Sequence, residues 1–274
     1  MDISQSFTPV VGGAGPETSC LVSIGMPVYN EGRFLEESLD SILTQDYKHT
    51  ELIISDNAST DETEEVCRRI AAQDSRVAYY RYEENQGITE NFRRVLRLAK
   101  GRYFMWASGH DLWSSNFISE CVKSLENRPD AVVAFGASKW IDAWGNPLAR
   151  FSGWSDTSGM DRVARLHAVL WGNMHAVLGV IRTEALGRAH ELKATAGADL
   201  IFLSELVLQG HFVHATATYW SRRDCRGSET NEQRIKRYQS REFGLSNSTL
   251  GKVDRKSTRL NFSHSQQSRM PSSA

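Results

Sequence analysis

Leu21-Val22-Ser23-Ile24-Gly25-Met26-Pro27-Val28-Tyr29-Asn30-Glu31 and Glu51-Leu52-Ile53-Ile54-Ser55-Asp56-Asn57 are the two segments on which the reading of this chain turns. Each is a short apolar run that stops at a polar tail, the pattern of a buried strand delivering a loop. Between them Phe34, Leu35, Leu39, Ile42 and Leu43 recur at helical spacing, so the stretch predicts strand, helix, strand. A crossover of that length joins parallel strands, with the helix packed on one face. The two polar tails are then neighbours at the carboxyl edge of a parallel sheet, where open α/β folds take their ligands.

The alternation continues outward. Ser59 and Glu62 have the spacing of a capping box ahead of Val66 and Ile70, which predicts a helix over 60–72. A third strand is expected over 76–82, followed by a loop at 83–87. Ile88, Phe92, Val95, Leu96 and Ala99 mark one helix face, with Gly101 expected as its C-cap. A fourth strand, 102–107, runs into Ser108-Gly109-His110-Asp111-Leu112-Trp113. Ser114 or Ser115 is expected to cap a helix through Phe117, Ile118, Val122 and Leu125, stopped by Pro129, before a strand over 131–136. Farther on, 162–171 predicts helix and 176–181 strand. Leu200, Leu203, Leu206 and Val207 form an apolar helix face behind Asp199, Gly210 closes that helix, and 212–220 alternates as a strand.

Whole-chain quantities narrow the class. The chain has 274 residues, enough for one large α/β domain. No apolar run approaches the ~18 residues of a membrane span. Residues 1–19 have no basic region followed by an apolar one, so they predict a flexible leader and a cytoplasmic protein. Cys20, Cys67, Cys121 and Cys225 are widely spaced, which is neither a zinc framework nor a disulfide scaffold. His211 and His214 lie on an alternating segment and are expected on opposite faces, as structural residues. Asn57-Ala58-Ser59 and Asn247-Ser248-Thr249 match the glycosylation sequon by chance in a chain with no secretory signal.

Net charge is −1, yet 241–274 carries six Lys/Arg against two Asp/Glu, leaving −5 for the rest. A basic tail can serve nucleic acid or an anionic membrane. This one lacks aromatic interleaving and apolar periodicity, so it is expected to be disordered and solvated, with no nucleic-acid partner. Peripheral contact with a membrane is left open. Residues 254–274 also read as translated adaptor or vector sequence and are set aside from the fold.

In order and spacing the motifs resemble a family 2 glycosyltransferase of the GT-A fold, over roughly 20–223. The resemblance implies a Rossmann-like, mostly parallel sheet with helices on both faces, in a domain covering 20–240. It implies an inverting transfer of sugar from a nucleotide-sugar donor, UDP-linked, to a saccharide or other hydroxyl acceptor, in bacterial polysaccharide or glycoconjugate synthesis. Pro27 and Tyr29 would then lie against the base, Glu31 near the ribose, and Asp56 would accept from the uracil N–H. Asn85, Gly87, Asn91 and Ser108 would line the same pocket, although Asn85, Gly87 and Asn91 each also read singly as ordinary loop and cap residues.

At 108–111 the family carries a metal-binding Asp-x-Asp-Asp, and here Ser108 and His110 stand where carboxylates are usual. Asp111 and His110 are the metal candidates, for Mg or Mn, because hard divalent cations take oxygen donors and Mn accepts imidazole readily. His110 could instead meet the diphosphate as a cation. Asp199, a carboxylate at a helix start, matches the family's catalytic base, although a plain cap reads the same way. Trp140, Trp144 and Trp154 begin the expected acceptor side, where stacking on sugar and core packing are both open. Ser221-Arg222-Arg223 reads as a phosphate contact or a solvated loop. The altered acidic motif leaves one rival, a degenerate nucleotide-binding protein. A dinucleotide oxidoreductase needs a Gly-x-Gly-x-x-Gly turn where this chain has Pro-Val-Tyr-Asn-Glu-Gly.

Overall fold

Val22, Ile24, Met26 and Val28 all point into one apolar cluster, and β1 (Val22–Val28) is an inner strand of the sheet in our computed structural model, paired on both sides. The structure describes residues 20–150, 156–172, 175–195 and 197–225. The leader, Trp154 and the basic tail lie outside the described residues.

After β1 come α1 (Gly32–Leu43), β2 (Thr50–Asp56), α2 (Thr63–Gln73), β3 (Val77–Arg81), α3 (Ile88–Leu98) and β4 (Tyr103–Trp106). Next are β5 (Leu112–Trp113), α4 (Phe117–Glu126), β6 (Ala131–Ile141), β7 (Pro147–Leu148) and α5 (Arg162–Trp171). A 3-10 turn (His175–Leu178) leads to β8 (Val180–Arg182), α6 (Thr183–Arg188), α7 (Ala198–Gln209) and β9 (His211–Arg223).

The sheet order is β3-β2-β1-β4-β8-β6-β9-β5, with β7 paired to β6. From β3 through β4 every pairing is parallel, because each connection crosses over through a helix. β8 is antiparallel to both β4 and β6, whereas β6 and β9 pair in parallel. Side chains alternate between two cores. Leu52, Ile54, Tyr103 and Met105 join α1, α2 and α4 on one face, while Ile53, Phe104 and Trp106 join α3, α5 and α7 on the other. Each large side chain buried this way stabilises the fold by roughly 1.5–3 kcal/mol. The helices therefore cover both faces, as expected.

Several local expectations change. Ser59 makes no capping box: α2 begins at Thr63, its cap residue Glu62 makes no side-chain bond, and Ser59 Oγ accepts the Asn30 N–H instead. A tertiary partner has outcompeted the local one. Gly101 does not cap α3, which ends at Ala99 in extended conformation. It is needed for close approach, since a Cβ there would stand 2.5 Å from Leu21 O and 2.8 Å from Ser23 N. Neither Ser114 nor Ser115 caps α4; Asn116 occupies that position. The strand expected over 176–181 is mostly the 3-10 turn, with β8 starting at Val180. β6 and β9 run farther than their periodicity indicates, because β9 steps over 216–218 and resumes pairing at Tyr219.

Candidate functional site

Parallel register sets Val28 beside Asp56 and Asp56 beside Arg81, while Trp106 at the end of β4 pairs with Gly25. The loops after β1, β2, β3 and β4 therefore leave from one edge. The loop at 29–31 is stitched to the loop at 57–63: Asn30 N–H donates to Ser59 Oγ, Glu31 N–H to Thr63 Oγ1, and Thr60 N–H to Asn30 Oδ1. Asn30 holds a left-handed φ of 54°, a region Asn tolerates better than most side chains. This turn leaves Tyr29 47% exposed at the mouth of the edge.

Asn91 is buried on α3, and its Nδ2 donates to Val28 O and Ser55 O, tying the ends of β1 and β2 together. Asn85 Oδ1 accepts from Asn57 Nδ2 and from Gly87 N–H, and Gly87 takes a φ of 88° to start α3. Asn57 Oδ1 accepts the Gln86 N–H. In the structure Asn85, Gly87 and Asn91 thus shape the edge through one another and through Asn57, a residue the sequence reading passed over. Beside them a cleft of about 600 Å³ is lined by Arg81, Tyr82, Glu83, Glu84 and Gln86.

Asp56 is fully enclosed. Its Oδ1 accepts the Ser59 N–H at 2.8 Å, its Oδ2 accepts the Tyr79 hydroxyl at 2.8 Å, and Arg81 Nε stands 3.5 Å from Oδ2. Burial and the Asp56 carboxylate push the Tyr79 hydroxyl well above its ordinary value, so it remains a donor. Asp56 does not line the cleft; Arg81, which contacts it, does. Close by, burial raises the Cys67 thiol to about 12, which makes it a core residue and not a nucleophile.

The loop after β4 is held from two sides. Ser38 Oγ on α1 donates to Ser108 O, and Ser108 Oγ is buried. His110 Nδ1 lies 3.0 Å from both oxygens of Glu31, and both side chains are about a quarter exposed. A carboxylate only accepts, so Nδ1 carries the proton. The other ring nitrogen, Nε2, is 3.9 Å from Asp111 Oδ1. Asp111 is 2% exposed and accepts the Arg223 N–H at 2.8 Å. Burial pushes its carboxyl above the ordinary value, against the pull of His110, Ser108 and the Arg223 N–H.

Arg223 is neither a solvated loop residue nor a free phosphate ligand. At the end of β9 its Nε donates to His110 O at 2.9 Å, its Nη2 reaches Glu37 Oε2 at 2.6 Å, and its guanidinium covers the Phe34 ring at 4.7 Å. Its side chain is 2% exposed. Trp140, on β6, lies between the guanidinium groups of Arg150 and Arg222 at 5.1 and 4.5 Å, while Trp144 is 80% exposed on the β6–β7 turn.

Among the described residues, no group of three or more His, Cys, Asp and Glu is arranged to hold a metal ion. The donor types at the end of β4, a carboxylate and an imidazole, are nonetheless ones that would hold a divalent cation. Such an ion takes one or two protein donors and completes its sphere with phosphate oxygens and water. Asp111 Oδ1 and His110 Nε2 converge, with the buried Ser108 hydroxyl in the same loop.

Asp199 lies in the first turn of α7, after Gly197 with φ 76°, and its Oδ1 accepts its own Leu200 N–H. One turn later Phe202 packs edge-on against Trp106, the last residue of β4, at 5.5 Å. That contact packs α7 against β4, while Asp199 itself is exposed. Among the described residues, no helix is long and apolar enough to cross a membrane.

Known proteins give the same architecture. The family model for glycosyl transferase family 2 matches residues 23–177. Glycosyltransferase GlyG of Streptococcus pneumoniae serotype 4 is 32% identical over 116 residues, 42% of this chain and 38% of GlyG. An uncharacterized glycosyltransferase of Rickettsia typhi is 34% identical over 120 residues, 43% of this chain and 36% of that protein. This chain therefore spans well under half the length of these two relatives. Among solved structures, S. aureus TarS 1–349 in complex with UDP superposes with a TM-score of 0.60 at 15% identity, covering 74% of this chain and 60% of that one. Mannosyltransferase PcManGT from Pyrobaculum calidifontis, in complex with GDP-Man and Mn2+, gives 0.59 at 22% identity, covering 82% and 63%. With more than half its length matched by the family model and its sheet shared with these enzymes, the chain belongs to glycosyl transferase family 2 and has the GT-A fold.

Proposed function

We propose that the protein transfers a sugar from a nucleoside-diphosphate donor, UDP-linked, to a hydroxyl of a saccharide acceptor, with inversion at the anomeric carbon, in bacterial glycan synthesis. One observation carries this reading. The polar ends of β1, β2 and β4, far apart in sequence, share one sheet edge, and the Glu31–His110 contact joins the first loop to the last.

In this reading Tyr29 offers its exposed ring to the base, beside Pro27. Asp56 accepts the uracil imide N–H once Arg81 or Tyr79 swings aside. Asn85, Gly87 and Asn91 hold the wall of the pocket, and the 108–111 loop faces the diphosphate. Asp111 and His110 are the residues that would hold a divalent cation, Mn or Mg, which when bound offsets the charge of the departing diphosphate. Asp199 takes the proton of the acceptor hydroxyl as that oxygen bonds to the anomeric carbon. The bond from that carbon to the diphosphate oxygen breaks, and its electron pair leaves with the nucleotide. A cytoplasmic location goes with a nucleotide-sugar donor.

Asp199→Asn tests the assignment, because Asn keeps the size and the oxygen that accepts the Leu200 N–H and cannot take a proton. Transfer is expected to fall by ~10²–10⁴, with UDP affinity and melting temperature close to the parent. Transfer within a few-fold of the parent means that Asp199 is not the base. A parent that binds UDP yet releases none from any donor supports the non-catalytic rival.

A further inference from the structure

We propose that Glu31 is a positioning residue for His110, and that it aims the imidazole Nε2 at the cation shared with Asp111 instead of contacting the ribose. The inference rests on the donor site described above and names a role within it. It begins with a residue type in the chain itself: the side chain beside Asp111 is an imidazole. A carboxylate can present either oxygen to a cation, whereas an imidazole has one usable lone pair in each tautomer. Something must therefore set which nitrogen keeps the proton and which way the ring turns.

Glu31 is placed to do this. Both its oxygens lie 3.0 Å from His110 Nδ1, so Nδ1 carries a proton and Nε2 is the nitrogen that a cation would take. Nε2 then faces Asp111 Oδ1 at 3.9 Å. Neighbouring octahedral donors at about 2.1 Å from one ion stand about 3 Å apart, so Nε2 and Oδ1 would draw together by somewhat under 1 Å to share a cation. Second partners of this kind are what orient imidazole ligands generally.

The Glu31 carboxylate is also dispensable for local folding. It caps nothing on α1, and the loop is held by the Glu31 backbone N–H on Thr63 Oγ1. His110 is fixed from behind as well, since its carbonyl accepts from Arg223 Nε. The backbone is thereby set by β9 and the ring by Glu31.

The test reads metal and nucleotide binding separately. UDP is titrated calorimetrically into the full chain with Mn2+ and with EDTA, and Mn2+ affinity of the UDP complex is followed by electron paramagnetic resonance. Glu31→Gln is expected to lower Mn2+ affinity by about 10- to 100-fold, the usual effect of losing such a partner, while UDP affinity in EDTA stays within twofold of the parent. In a His110→Ala background the same change should cost nothing further. Glu31→Asp, which keeps the charge and shortens the reach, should recover part of the loss and guards against misfolding of the Gln variant. An equal loss of UDP affinity in EDTA makes Glu31 a nucleotide contact and overturns the proposal, as does an undiminished Glu31→Gln effect without His110. A parent that binds UDP with no response to Mn2+ overturns this inference alone. A parent that binds no UDP in either medium counts against the donor reading itself.

Discussion

Arg223→Ala is the substitution that probes the assembled site most directly, and its cost follows from the contacts. The backbone N–H that serves Asp111 survives any side-chain change. The variant loses the bond to His110 O, which leaves a part-buried carbonyl short of a donor, at about 1–3 kcal/mol. It also loses the bond to Glu37, but that carboxylate is 57% exposed and water replaces the partner. This ion pair therefore adds no more than about 1 kcal/mol, well short of the cost of breaking a buried one. With the lost cover over Phe34 the total is about 2–4 kcal/mol. Arg223→Lys keeps the charge but not the fork and should fall between Ala and the parent. Glu37→Gln should stay within about 1 kcal/mol of the parent. Urea unfolding at unchanged m-value measures all three. Equal losses for Arg223→Ala and Glu37→Gln, or a loss under about 0.5 kcal/mol for Arg223→Ala, would refute the reasoning, since either result means the guanidinium behaves as a surface charge.

Two further outcomes are expected. Gly101→Ala should lower the melting temperature by several degrees, because its Cβ would meet main-chain atoms that cannot yield; Gly145→Ala, with φ 86° and nothing within 4 Å, should cost only about 1 kcal/mol. Parallel thermal melts compare the pair, and a milder effect at Gly101 would contradict the close approach to β1. Burial lowers the His214 pKa below its ordinary 6.5, against the pull of Asp156. The unfolded chain therefore binds this proton first, and the contribution is full above 6.5 and shrinks as pH falls toward the folded value. His214→Phe should flatten that part of a stability–pH curve, and an unchanged slope would place the titration elsewhere.

The parts of the fold legible in the sequence are those whose information is local. Val22, Ile24, Met26 and Val28 alternate because β1 buries one face against α1 and the other against α3, so period and partner agree. The helix over 162–171 was legible to the residue, since Asp161 caps it through its own neighbours Val163 and Ala164. The failures come where a distant group takes over a local signal. Ser59 has the sequence of a cap, yet its oxygen serves Asn30 across 29 residues. Gly101 has the sequence of a helix stop, yet its missing side chain makes room for β1.

The site divides along the same line, and this division bears on how it assembles. The positions of Tyr29, Glu31 and Asp56 at the sheet edge were legible because each ends or follows a strand whose period is plain. Arg223 was not, because its meaning lies in Glu37, 186 residues away, and in the His110 carbonyl, 113 residues away. Contacts of such sequence separation form only after the intervening chain has been ordered, since loop closure is unfavourable until other contacts offset it. The parallel half, β3-β2-β1-β4, can therefore bring Glu31 beside His110 through β1 and β4 alone. Asp111 gains its Arg223 N–H only when β9 docks against β6 and β5. The imidazole side of the site is local to the parallel half, and the carboxylate side is completed by the last strand. A change that loosens β9 should then free Asp111 Oδ1 from the Arg223 N–H and the His110 carbonyl from Arg223 Nε together, leaving Glu31 as the hold on the imidazole ring.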